Sequence, residues 1–160
     1  MEKDIRQSIT DYKMPRYICE ILCNHYAKAF LDMTIICEND TYIFSYDKKN
    51  KRRLVYRELT EIDKLQLVLT LIMINDNNCQ MLIGAERYLI EPELIYSVRN
   101  RTDYNSIGIL FYPDTTMTPF NIKLMRFMDK IGTKNKKKAI NCFELIKDEL
   151  AKNEIYRARS

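Results

Sequence analysis

The chain has 160 residues and a mass of 19.2 kDa, which predicts one domain with a sizeable core rather than two. Its 46% hydrophobic and 30% charged content excludes the low-hydrophobicity, high-charge class of disordered chains. The net charge of +4 belongs to the tail: residues 133–160 hold eight basic and four acidic side chains, so the body before them is neutral, which argues against a nucleic-acid-binding face spread over the fold.

Residues 1–13 read as a frayed arm or a short helix. No apolar h-region follows Met1, so no signal peptide is expected. From Pro15 to Phe30 the apolar residues Ile18, Ile21, Leu22, Tyr26 and Phe30 recur at helical spacing, with Pro15 near the first turn. Two β-branched and aromatic runs follow, at 33–37 and 41–46, around the polar turn Glu38-Asn39-Asp40, and they predict a β-hairpin.

The segment 47–53 is a basic loop, and 54–59 is too short to assign. Thr60 and Asp63 have capping-box spacing ahead of an apolar stripe (Ile62, Leu65, Val68, Leu69, Ile72), which predicts a buried helix over about 60–75. Asn75 to Asn78 would break or cap it, and Cys79 to Ile83 would add a further turn. Short strands are expected around 93–98 and 107–112, joined by the polar stretch from Asn100 to Ser106.

Phe120, Leu124, Phe127, Met128 and Ile131 mark another amphipathic helix, with Gly132 placed to end it. A basic linker, Lys134 to Lys138, leads to a last amphipathic stretch on Ala139, Phe143, Ile146 and Leu150. The predicted architecture is therefore α+β. One domain spans 1–132, and 133–160 forms a linker and helix docked on the same domain or used for homo-oligomerisation.

Few residues point to chemistry. Cys19, Cys23 and His25 lie close together, but His25 faces away from the cysteine side of its helix and no fourth ligand is near, so half-buried cysteines are the expectation and a metal is not. Five cysteines without framework spacing predict reduced thiols and a cytoplasmic location. His25 is the only histidine, and the three glycines stand apart, so neither a histidine mechanism nor a glycine-rich phosphate cradle is expected. No cofactor is predicted. The longest apolar run, 67–74, is far short of the ~20 residues that span a bilayer, so membrane insertion is not expected either.

Two segments suggest contacts with a partner. Glu91 and Glu93 flank Pro92 in an acidic bend that ends at Tyr96, and Phe111, Tyr112 and Pro113 offer an aromatic side nearby. The loop cations Lys48, Lys49, Lys51, Arg52 and Arg53 lie between Tyr46 and Tyr56, which permits phosphate contacts with aromatic stacking.

Residues 17–131 resemble the domain of unknown function at the N-terminus of many forkhead-associated (FHA) proteins of low-GC Gram-positive bacteria (Firmicutes). The resemblance rests on Tyr17 to Leu22, on the hairpin ending Phe44-Ser45-Tyr46-Asp47, and above all on Tyr88-Leu89-Ile90-Glu91-Pro92-Glu93-Leu94-Ile95-Tyr96 followed by Phe111-Tyr112-Pro113. Those proteins usually continue into a phosphothreonine-binding module. The present 160 residues contain none, so that role is not expected here.

The same segment is similar to a degenerate protein-kinase C-lobe, as in the cytosolic pseudokinase domain of a type VII secretion membrane protein. With Pro92 on the proline of the catalytic loop, Leu89 stands in place of the catalytic Asp, Glu91 in place of the Lys and Leu94 in place of the metal-binding Asn. Phe111 or Tyr112 falls where a second metal-binding Asp belongs. Phosphoryl transfer requires those groups. The resemblance therefore implies a reduced pseudokinase-like fold and a non-catalytic module for protein–protein contacts, its surface including Glu91, Pro92, Glu93, Tyr96, Tyr112, Lys49, Arg52 and Arg53. Nucleic-acid binding through the Lys48–Arg53 loop and the basic tail is the alternative.

Overall fold

The computed structural model describes residues 5–132. In chain order the elements are β1 (Ile5–Thr10), α1 (Arg16–Cys23), β2 (Asp32–Glu38), β3 (Thr41–Asp47), β4 (Arg52–Arg53), α2 (Glu61–Gln80), β5 (Ile95–Ser97), β6 (Ile107–Ile109) and α3 (Phe120–Ile131). Single 3-10 turns occur at Tyr56–Glu58, Ala85–Arg87 and Pro92–Leu94. The strands form two antiparallel three-stranded sheets, ordered β1-β3-β2 and β4-β5-β6, and the class is α+β. The expected last helix at 139–150 lies outside the described residues.

The β2–β3 hairpin forms as its sequence predicts. Asn39 and Asp40 both take left-handed backbone, with φ of 49° and 61°, and Glu38 pairs with Thr41. Two such residues in succession make the primed turn whose twist matches the flanking strands. On β3 the rings of Tyr42, Phe44 and Tyr46 line one face, and Phe44 and Tyr46 are buried.

The N-terminal segment is neither a frayed arm nor a helix. It is strand β1, paired with β3 from Ile5↔Tyr46 to Thr10↔Thr41. Ile5 and Ile9 are its only partly buried side chains, four apart, a spacing shared by a helix face and a strand face. Backbone pairing with β3, rather than side-chain pattern, selects the strand.

Helix α1 is also shorter than its periodicity suggests. It stops at Cys23, and His25 follows in left-handed backbone with φ of 60°. Beyond that turn the chain is extended: Leu31 N–H donates to Ile109 O at 2.9 Å, and Ile109 N–H donates to Ala29 O at 2.8 Å. Residues 29–31 thus cover the open edge of β6 and then run directly into β2. Phe30 enters the core edge-on to Tyr88 and Phe111, at centroid distances of 4.9 and 5.3 Å.

The capping box at Thr60 and Asp63 starts α2 as predicted, with both reciprocal hydrogen bonds present. The helix does not break at Asn75 to Asn78. It continues to Gln80, because Asn78 is buried and its side-chain amide donates to Tyr88 Oη at 3.2 Å. The helix ends one turn later. Ile83 N–H reaches Asn78 O and Leu82 N–H reaches Cys79 O, each at 3.0 Å, with Leu82 at φ 61°. This is the Schellman arrangement, with leucine in the position that usually holds glycine.

The segments 87–97 and 107–114 run antiparallel. Leu89 N–H donates to Tyr112 O, Asp114 N–H to Arg87 O and Leu110 N–H to Leu94 O, with the regular β5–β6 pairing beyond. The turn at Pro92–Leu94 interrupts this ladder. Helix α3 lies where its periodicity placed it, burying Leu124, Phe127, Met128 and Ile131. Gly132 follows with φ −52°, so its freedom for left-handed backbone is not what ends the helix.

Candidate functional site

The acidic bend is held from three sides. Glu91 pairs with Lys130 of α3, Pro92 O accepts from Tyr56 Oη at 2.7 Å, and Leu94 N–H closes the turn onto Glu91 O at 2.9 Å. Within residues 91–96, Glu93 alone is exposed. The aromatic residues expected at the surface are largely interior. Tyr96 is 2% exposed and Phe111 0%, which removes both from any contact surface. Tyr112 is half-buried and donates through its hydroxyl to Ser8 O of β1 at 2.9 Å.

A groove of about 380 Å³ opens beside the bend, between Leu89, Glu91, Tyr112, Asp114, Thr116 and Arg126. At its base lies a buried ion pair that the sequence reading missed. Lys123 Nζ is 2.7 Å from Asp114 Oδ2, donates to Ala85 O and Tyr88 O, and stands 6.0 Å from the centre of the Tyr88 ring. The three ammonium hydrogens therefore have three acceptors. Asp114 is equally occupied, accepting from Thr116 N–H and Oγ1 and from Thr118 N–H.

Burial pushes the Asp114 carboxyl up, but hydrogen bonds from Lys123 and Thr116 outweigh it and hold the group below its ordinary value. Burial also pushes the Lys123 ammonium down, and the pairing with Asp114 offsets this only in part. One signal was available in the sequence: Lys123 is three residues after Phe120 and four before Phe127, on the apolar stripe of α3, where a lysine needs a buried partner.

The basic loop does not form one patch. Lys49 turns to Asp32, whose carboxylate also lies 3.5 Å from His25 Nδ1. The hydrogen bond from Lys49 keeps the Asp32 carboxyl low against a smaller effect of burial. Arg52 and Arg53 instead form β4 and pair with Ser97 and Tyr96 of β5. Arg53 Nε donates to Tyr96 Oη at 3.3 Å, which raises the guanidinium pKa. The cleft on that side is also lined by Arg99, which nothing in the sequence singled out.

The outer side of α2 is the remaining feature. Between 61 and 73 the exposed positions are Ile62, Gln66, Leu69 and Met73, stepping by four, three and four residues. Ile62 is 79% exposed, Leu69 49% and Met73 52%. Ile62 and Leu69 belong to the apolar stripe read in the sequence as core. Val68 of that stripe is buried as expected, together with Leu67, Leu71 and Ile74, which the predicted stripe did not include.

Among the described residues, Cys19, Cys23, Cys37 and Cys79 are free thiols, and no group of three His, Cys, Asp or Glu side chains is arranged to hold a metal ion. No helix among them is long and apolar enough to cross a membrane. No protein-family model matches the chain, and no curated protein matches it.

Proposed function

We propose that this chain is a non-catalytic protein–protein interaction module that receives another protein on the outer face of α2. The uncharged stripe Ile62-Gln66-Leu69-Met73 is the observation behind this reading. Single exposed apolar residues are ordinary, whereas three turns of one helix without an exposed charge form a largely apolar strip, interrupted by Gln66, of the kind that partners cover. Gln66 adds a polar atom within the strip, and its Oε1 already accepts from Thr102 Oγ1 at 2.7 Å.

The non-catalytic part is supported by the way the ionisable groups near the bend are engaged. Lys123 and Asp114 have filled their hydrogen-bonding capacity by joining α3 to the 85–88 and 114–118 segments. A general acid or base needs a free proton or lone pair facing the cleft. On this reading the chain serves as a pseudokinase-like scaffold or regulator in a bacterial cytoplasm. Nucleic-acid binding by the basic loop has less support, since Lys49 turns to Asp32 while Arg52 and Arg53 turn to the β5 side.

Affinity capture from a lysate of the source organism tests the reading, comparing the native chain with Leu69→Asp/Met73→Asp. The captured protein should cross-link to residues near 62–73 and be lost from the variant, with circular dichroism confirming that the variant is folded. Capture unchanged by the variant, or cross-links only to other faces, would overturn it.

A further inference from the structure

We infer that the cleft between β4 and the 97–100 turn is a binding site for a phosphate monoester. It has a volume of about 450 Å³, the size of a small-ligand pocket, and three arginines line it: Arg52 and Arg53 from β4, and Arg99 from just beyond β5. The α2 face plays no part in this inference.

The argument begins with charge. Among the described residues, the guanidinium groups of Arg52 and Arg99 have no hydrogen bond or ion pair to a protein group, and Glu58 is the one acidic side chain in the lining, without an ion pair to any of the three. The guanidiniums of Arg52 and Arg99, beside one concavity, repel each other, and low-dielectric walls concentrate their field inside it. An anion in the cleft removes that repulsion.

The walls are also prepared in advance. The buried hydroxyl of Tyr96 holds Arg53 through Nε, which orients the guanidinium plane. Arg99 and Asn100 both take left-handed backbone, φ 54° and 58°, a conformation uncommon for arginine and more readily adopted by asparagine. Asn100 is fixed there by its own side chain, which accepts from Val55 N–H at 2.8 Å and donates to Val55 O at 3.1 Å. Those two bonds tie the turn to the chain after β4 and bring Arg99 to the same cleft as Arg52. Backbone of this kind is commonly retained where it positions a functional group.

The chemistry of the ligand follows from the number and type of donors. Guanidiniums bind oxyanions through paired N–H groups, and the two of Arg52 and Arg99 match the dianionic charge of a phosphate monoester better than the single charge of a carboxylate. A nucleic-acid backbone is disfavoured because its charges repeat along a line. Here the positive groups converge on one cleft and Lys49 is paired with Asp32 elsewhere.

Titration calorimetry and thermal unfolding of the full chain test this at constant ionic strength, with inorganic phosphate and phenyl phosphate as probes and sodium chloride as the control. Saturable binding is expected, with a rise in melting temperature that chloride does not reproduce. Arg52→Gln and Arg99→Gln should each weaken phosphate binding about tenfold or more, the scale of a charge-assisted hydrogen bond. Both are surface substitutions, and Arg57→Gln serves as a folded control that keeps full affinity.

Comparing phenyl phosphate with a phosphoserine peptide distinguishes a free organophosphate from a modified protein side chain, either of which satisfies the inference. No saturable binding, or binding unchanged in Arg52→Gln/Arg99→Gln, overturns it. Tighter binding of a DNA oligonucleotide that is lost in the same variant also overturns it, in favour of a phosphodiester. Because Leu69→Asp/Met73→Asp leaves the cleft intact, loss of partner capture with retained phosphate binding would separate this inference from the proposed module.

Discussion

The hydroxyl of Tyr46 donates a hydrogen bond to the backbone carbonyl of Phe111, and both residues are buried. Sixty-five residues separate them in the chain. The bond joins the central strand of the first sheet to the segment leaving the second, so it fixes the position of one sheet against the other. Burial also raises the Tyr46 phenol well above its ordinary value, so it remains a donor at any physiological pH.

Tyr46→Phe keeps the ring and removes the donor, leaving the Phe111 carbonyl buried without that partner. The expected cost is about 1–3 kcal/mol, read as a lower urea midpoint with an unchanged slope.

Lys123→Met leaves Asp114 buried among the hydroxyl and amide donors of its loop but without its counter-charge. Breaking a buried pair in this way costs about 3–5 kcal/mol. Lys123→Met/Asp114→Leu should be less unstable than the sum of its single substitutions, because removing both charges also removes the desolvation penalty. Chemical denaturation of the three variants checks both points.

Acid should destabilise the fold through Asp32 and Asp114, whose folded-state pKa values are both lowered. A carboxyl with a lowered folded pKa contributes stability that is complete above its unfolded value, near ~3.9, and is lost as the pH falls through the folded value. Melting temperature should therefore hold at neutral and mildly acidic pH and then fall below about pH 4. Asp114→Asn should lower the neutral-pH melting temperature and shrink the acid-induced drop, as thermal melts across that range would show.

Leu82 is exposed and left-handed at the end of α2, where a side chain is a steric liability. Leu82→Gly removes that strain and should raise stability by about 1 kcal/mol, with the two terminal hydrogen bonds retained. An unchanged or lower denaturation midpoint would mean that the Leu82 side chain makes a compensating contact.

What could be read in the sequence was set by neighbours along the chain. The Asn39-Asp40 turn, the Thr60–Asp63 capping box and the spacing of Phe120, Leu124, Phe127 and Ile131 each depend on interactions within a few residues, so they survive in any tertiary setting. The α+β class follows from those elements.

Tertiary structure decided the rest, because contacts between distant segments depend on strand order and register, which local pattern does not encode. It made a strand of Ile5–Thr10 by giving it β3 to pair with, buried Tyr96 and Phe111, and turned the Ile62–Leu69 side of α2 outward. It also determined which charges meet: Lys123 finds Asp114 across a loop, Lys49 leaves the basic cluster for Asp32, and Arg99 joins Arg52 and Arg53 around one cleft. Lys49, Arg52 and Arg53 could be named from the sequence, but their partners existed only once the sheets had formed.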